Sequence, residues 1–308
     1  MGIFSYLKDV NARHEKPQEK TALDAVLDLE AKVIAQYKMR DQTRTDSSEQ
    51  NDAYCKLLRY TQEKIMSIKI TQEVLQKYIN VRDNSEEDSE AIIRGMYSAA
   101  LLEIICTTQP EKAILIDGKG KTFNYLFYHV KNASNVLVQN FKGNEILFSA
   151  GSYNGRIQNM ICNNIMGNYL LQNIGRSKGR VKHITAIHIF GNEMLADIAS
   201  VNGTAKYITA ISVKGDTALA YLAGLNGEVE YVAAMNVEGK GIFESPGLNC
   251  GGVKHLIRGN DLDLQQKQIL SRIEKIVESM SGLSSEEQKK AHDEIARLQT
   301  EIFAGEEK

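Results

Sequence analysis

The chain has 308 residues, 43% of them hydrophobic and 25% charged, with a formal net charge of −2. That balance fits a globular chain with a real core and excludes a polycationic nucleic-acid binder or an acidic tail protein. There is no Trp, and three Pro against 23 Gly is the wrong punctuation for a linker-rich or disordered chain.

In chain order, the first region, residues 1–110, reads as helices. Its opening residues hold no apolar run of signal-peptide length, and Tyr6 stands where myristoylation at Gly2 requires Ser or Thr. Leu23, Val26, Leu27, Val33, Ile34 and Tyr37 make one helical stripe, with Thr21 as its N-cap. After a polar break, Leu57, Leu58, Ile65, Ile68, Val74, Leu75 and Ile79 read as a single second helix. Glu86, Glu87, Asp88 and Glu90 suit the first turn of a third, which Pro110 ends. No stretch approaches 18 unbroken apolar residues, so no membrane span is expected. Cys55, Cys106, Cys162 and Cys250 form no C-x-x-C pair, which points to reduced packing residues and a cytoplasmic protein.

The second region, residues 111–260, repeats itself. Glycines stand at 155, 179, 203, 227 and 251, and a second set at 143, 167, 191, 215 and 239. The sets interleave, but the two halves differ in kind. Leu147, Leu171, Leu195 and Leu219 lie 24 residues apart and have no counterpart halfway, so the period is 24. A period in this range with Val, Ile, Thr and Tyr between Gly, Asn and Asp corners predicts a parallel β-solenoid, with two or three short strands per coil. The corners, such as Gly143-Asn144 and Gly191-Asn192, are read as residues that tolerate left-handed backbone. About six coils at ~4.8 Å would stack to ~29 Å. A leucine-rich repeat is the rival. Ile184, Ile187, Ile189 and Asn192 fit its spacing, but Asp216 and Lys240 replace the Asn in later units and no convex helix pattern follows.

Stacking turns the repeat into columns. Val136, Met160, Ile184, Ile208, Val232 and Leu256 form one, and Phe141, Ile165, Ile189, Val213 and Val237 another. Val138, Cys162, Ala186, Ala210 and Ala234 make a column of small residues that a neighbour can approach closely. Asn135, Asn159, His183, Tyr207, Tyr231 and His255 form the structural ladder in which like side chains should bond or stack. A stretch of about 35 residues, carried by residues 114–118, Asn132-Ala133-Ser134-Asn135-Val136 and Val138-Gln139-Asn140-Phe141, resembles the opening coils of right-handed parallel β-helix proteins of the pectin-lyase-like class. In many enzymes of that class acidic clusters on one strand face carry catalysis, so the resemblance implies a fold and directs attention to paired carboxylates.

No such cluster stands in this sequence; Glu145 and Glu193 share a column two coils apart, ~9.6 Å at strand spacing and near the ~6.5–9.5 Å of an inverting glycosidase's carboxylates, with Tyr169 between. Thr217 and Gly241 continue the column, which reads as glutamates on a solvated sheet face. Gly118-Lys119-Gly120-Lys121-Thr122 looks like a phosphate loop, but Leu115 occupies its first glycine position and no helix follows. His183 and His188, five apart on a strand, should face opposite ways. His183 and His255, ~14 Å apart, are too distant for one metal ion. No cofactor is expected. Residues 131–260 hold 12 Lys and Arg against 8 Asp and Glu, and Arg156, Arg180, Lys182, Lys206 and Lys254 cluster in neighbouring columns. Glu228 and Glu230 interrupt that strip, so a nucleic-acid partner is not expected.

The last region, residues 261–308, reads as a helical hairpin. Leu264, Ile269, Leu270, Ile273, Ile276, Val277 and Met280 form one stripe, Gly282 breaks it, Ser284 and Glu287 form a capping box, and Ile295, Leu298 and Ile302 form a second stripe. Its apolar face should cover the last coil near Leu256 or the flank along Ala186, Ala210 and Ala234, or else dimerise. No nucleophile, base and orienter assemble in the sequence. The expected function is a non-enzymatic structural or scaffold protein that self-associates or takes protein partners through its helical regions. A carbohydrate-binding or carbohydrate-active β-helix is the alternative, and an adaptor working through the helices is a third.

Overall fold

The computed structural model describes residues 21–37, 47–65, 68–82, 84–86, 89–244 and 252–304. Gly2, Tyr6, Glu87, Asp88, Cys250 and Gly251 lie outside the described residues. Among the described residues four helices come first: α1 (Ala22–Tyr37), α2 (Ser47–Ile65), α3 (Gln72–Val81) and α4 (Ser89–Thr108). Thr21 caps α1 through its hydroxyl, which accepts from Asp24 N at 3.2 Å. The single second helix expected from the periodicity is two. Thr71 starts α3 as an N-cap in extended backbone, its side chain accepting from Val74 N at 3.4 Å, and a threonine so placed ends one apolar stripe by opening another. Helix α4 is the centre of this region. It is long and apolar enough to cross a membrane by length and composition, but 72% of its apolar window is buried inside the protein. Gly95 lets it lie against the first coil, because a Cβ there would strike the carbonyl of Tyr125.

Seven parallel strands follow in one sheet, in chain order: β1 (Ala113–Thr122), β2 (Asn132–Lys142), β3 (Arg156–Met166), β4 (Arg180–Phe190), β5 (Thr204–Lys214), β6 (Glu228–Met235) and β7 (Gly252–Arg258). The arrangement is a parallel β-solenoid of about six 24-residue turns, the fold that the resemblance to parallel β-helix proteins implies. Register follows the columns: Val136 pairs with Met160, Met160 with Ile184, Ile184 with Ile208 and Ile208 with Val232. Each coil carries one long strand rather than two or three short ones.

The other side of each coil is a run of turns in which alternate residues take left-handed backbone: Glu145, Leu147, Ser149 and Gly151 in one coil, Glu193, Leu195, Asp197 and Ala199 two coils on. This alternation aims successive N–H groups at opposite neighbours. Leu147 donates to Leu126 of the coil before, and Ser149 to Gln172 of the coil after, both at 2.8 Å. The turn side is thereby bonded in both directions, which is what a buried backbone requires. Leu147, Leu171, Leu195 and Leu219 fill the interior from it, opposite the inward Val138, Cys162, Ala186, Ala210 and Ala234.

Both glycine series are explained by stacking. At Gly191, with φ near +153°, a Cβ would land on the carbonyl oxygen of Gly167, and at Gly203 on that of Gly175. The Asn of each Gly-Asn corner does something else than adopt left-handed backbone. Asn144 Oδ1 accepts from Asn168 N at 2.8 Å, Asn168 Oδ1 from Asn192 N at 3.0 Å and Asn192 Oδ1 from Asp216 N at 3.2 Å. The side chains form a column that satisfies one N–H per coil.

The last two helices, α5 (Leu264–Ser279) and α6 (Ser285–Ile302), lie across the outward face of the strands. Both start at capping boxes: Asp263 with Gln266, and Ser284 with Glu287 as the sequence indicates. Ser285 Oγ donates to Ala113 O of β1 at 3.1 Å, while the Phe303 ring beyond the far end of α6 is 4.8 Å from Tyr231 of β6. Eighteen helical residues rise ~27 Å, which matches five strand steps of ~4.8 Å. The hairpin therefore runs along the flank, out to Ile257 of β7, and does not fold across the end of the last coil. It meets the outward columns of Leu137, Ile161, Ile187 and Ile211, whereas the small column Ala186, Ala210 and Ala234 points into the solenoid core.

Candidate functional site: the two ends of the solenoid

The ladder residues come together as one column. Asn159 Nδ2 donates to Asn135 Oδ1 at 2.6 Å. Then His183, Tyr207, Tyr231 and His255 stack with centroids 4.9 to 5.0 Å apart and nearly parallel planes. The hairpin covers this stack. Gln299 of α6 bonds His183 Nδ1 at 2.7 Å through its oxygen, and its amide donates to Thr209 Oγ1 at 2.8 Å, Ile184 O at 3.0 Å and Thr185 Oγ1 at 3.1 Å. Burial holds His183 well below the usual histidine range, at about 4, against the Gln299 bond, which acts to raise it. His188 faces the hairpin as well, its Nε2 3.1 Å from Glu274. The expected opposite facing of His183 and His188 fails because His188 is left-handed, with φ of 52°, which breaks the strand alternation. Gln299 was the one polar residue inside the Ile295, Leu298, Ile302 stripe, and that misfit was the available signal for a buried contact.

The carboxylates sit elsewhere than on a sheet face. Glu145 and Glu193 lie on the turn side, both left-handed. Glu193 Oε2 is 3.5 Å from Gln172 Nε2, and its charge is felt at Asp197 of the same coil, whose carboxyl is raised by burial against the opposing effect of Arg176. Glu145 raises the phenol of Tyr128 beyond what burial alone does. Each glutamate thus has its own surroundings. The glycine-lysine stretch is part of β1, where pairing shifts register between Asp117 and Lys121 and Lys119 N donates to Asp117 Oδ1 at 2.8 Å.

The ends of the sheet differ most. At the first coil the outer edge of β1 is capped. The amide of Gln76 on α3 acts as a strand would: it accepts from Asp117 N and donates to Asp117 O, both at 2.8 Å. Lys121 Nζ donates to Asn80 O at 2.8 Å. Asn84 pairs with Phe123 as a parallel bridge, and its Nδ2 donates to Asn124 O at 2.7 Å and Ala91 O at 3.2 Å. Asn124 returns bonds to Ser85 O and Glu86 O. Buried Glu103 of α4 ties the same end to β2, accepting from Lys131 N at 3.0 Å, Asn132 Nδ2 at 2.8 Å and Tyr54 Oη at 2.9 Å.

At the last coil, β7 pairs with β6 on one edge, and among the described residues no strand takes the other. Val253 and Leu256 are half-buried against the core. Beside them an opening of about 410 Å³ is lined by Val237, Ile242, Phe243 and Arg258, whose guanidinium lies 5.5 Å from the Phe243 ring centre. An unpaired strand edge with apolar residues beneath it is a template for another chain. No protein family, curated protein or solved structure matches this chain.

Proposed function

We propose that the protein is a non-enzymatic scaffold that self-associates through the free edge of β7. The observation that carries this reading is the asymmetry of the ends: the Gln76 side chain of α3 bonds the backbone of Asp117 on β1, and residues 84–86 bond Phe123 and Asn124 just beyond that strand, while among the described residues no strand lies beyond β7. An open edge on one end alone cannot grow head to tail. It supports a closed pair in which two β7 strands meet antiparallel about a two-fold axis. The helical surfaces then remain available to other proteins.

The test is mass in solution. Light scattering on the full chain should give the mass of two chains. Leu256→Lys, which places a charge at the half-buried end of the core, should give one chain with unchanged helical and strand circular dichroism. A monomeric unaltered protein, or filaments of many chains, would overturn the reading.

A further inference from the structure

The strand edge opposite the corners carries a second surface, independent of self-association. Two neighbouring outward columns run along it. One reads Asn132, Arg156, Arg180, Thr204, Glu228 in register. The other, two residues further along each strand, reads Ser134, Gln158, Lys182, Lys206, Glu230. At the far end opposite charges alternate and pair: Lys206 with Glu230 at 3.8 Å, and Lys254 with Glu228. In the middle they do not. Arg156 lies directly beside Arg180, and Lys182 one strand step from Lys206, all four exposed. Among the described residues Arg156, Arg180 and Lys182 make no ion pair. Like charges opposite one another on adjacent strands cost stability. The same columns hold neutral residues, Asn132 and Thr204, and a paired one, Glu228, at other coils, so the repeat itself does not require the like charges.

These residues line a groove of about 500 Å³, closed on one side by Cys106 and Thr107 at the end of α4. No acidic and no aromatic side chain is among its lining residues. It spans β2 to β5, ~14 Å at strand spacing. Two guanidinium and two ammonium groups in that length suit several phosphate groups held together, the guanidinium forks bonding oxygen pairs and the lysines acting as point charges. A nucleic-acid strand needs base-stacking platforms and a longer track, and neither is present in this lining. We infer that the groove of Arg156, Arg180, Lys182 and Lys206 binds a compact oligophosphate, either inorganic polyphosphate or the phosphate chain of a nucleotide.

Calorimetric titration of the full chain with inorganic tripolyphosphate, orthophosphate and ATP in moderate salt tests this. Tripolyphosphate should bind at least about tenfold tighter than orthophosphate, one added charge-assisted contact corresponding to that factor. Inorganic polyphosphate as the ligand predicts tripolyphosphate at least equal to ATP, and a nucleotide predicts ATP tighter; either supports an oligophosphate site. Arg180→Glu should lose about tenfold or more while its melting temperature stays level or rises, because repulsion with Arg156 becomes attraction. Arg156→Gln, which copies the neutral residues of its own column, gives the same reading with a smaller charge change. Equal weak binding of tripolyphosphate and orthophosphate, or unaltered binding by both variants, would overturn the proposal. So would an oligonucleotide without terminal phosphates that binds more tightly than tripolyphosphate, since it would make the surface a polymer track.

Discussion

β1 and β7 are the two outer strands of one sheet, built from the same repeat, and they meet their surroundings in opposite ways. β1 is preceded by helices: Gln76 bonds the backbone of Asp117, Asn80 O accepts from the Lys121 side chain, and Asn84 bridges to Phe123 just beyond the strand. β7 runs through a short 3₁₀ turn (Gly259–Asp261) into α5, which leaves along the flank instead of folding across the end. The difference teaches that flanking helices are not caps by virtue of their position. A helix caps a solenoid only if its polar side chains reach the backbone of the terminal strand, and an apolar hairpin is better used on an apolar flank.

The largest expected effect breaks the covered surfaces with acid. Burial holds three histidines neutral: His129 in the first coil, down to about 3, and His183 under the hairpin and His292 on α6, each down to about 4, all from an ordinary 6.5. The unfolded chain takes up these protons first as pH falls, so stability is full above about 6.5 and is lost progressively toward about 4. Thermal midpoints should therefore drop steeply between pH 7 and pH 4.5. Among the described residues neither ring nitrogen of His292 has a bonding partner. His292→Leu should remove its share of that slope and gain about 1 kcal/mol at neutral pH, the usual order for an orphaned buried polar group. A His292→Leu variant with the same pH slope as the unaltered protein would place the acid sensitivity elsewhere.

A smaller effect is expected at the capped end. Gln76→Ala removes two bonds to the backbone of Asp117, at a cost of about 1–2 kcal/mol. It also gives the sheet a second open edge. Light scattering should then find species larger than two chains, growing with concentration. If the variant is less stable yet stops at two chains, the bridge through Asn84 is the feature that blocks growth.

The contrast between the ends also shows what the sequence could carry. The columns were legible residue by residue, because parallel in-register stacking writes the same residue types at a fixed interval. Val136, Met160, Ile184 and Ile208 needed no structure to be aligned. The aromatic stack of Tyr207 and Tyr231 was legible for the same reason. Hidden were features that occur once or depend on backbone sign. Left-handed Leu147, Leu171 and Leu195 look like strand residues, since leucine gives no cue for that conformation, and so the sequence alone suggests several strands per coil. The role of Asn144, Asn168 and Asn192 as acceptors for the next coil is masked by the ordinary use of Asn in turns. Gln76 and Asn84 sit in unremarkable polar positions, and nothing periodic singles them out as caps. The like-charged quartet of the groove was visible as composition but acquires meaning only beside the end of α4.

The smallest expected effect concerns Gly252, at the start of β7. Glycines inside the stack are compulsory: a Cβ at Gly167, Gly191, Gly215 or Gly239 would coincide with the carbonyl oxygen of the coil before. At Gly252 a Cβ would meet nothing within 4 Å, and its register partners in the earlier strands are Glu228, Thr204, Arg180 and Arg156, all of which carry side chains. The position is an ordinary strand residue that happens to be glycine. Gly252→Ala should therefore leave the fold unchanged and stabilise it by about 0.5 kcal/mol, through the reduced freedom of the unfolded chain. The gain should appear in the denaturation midpoint with no change in slope. Because an alanine methyl does not occupy the outward hydrogen-bonding groups, the mass in solution should also remain as in the unaltered protein. A loss of stability of about 1 kcal/mol or more would mean that something lies against Gly252, and that the difference between the two ends is smaller than the edge of β7 implies.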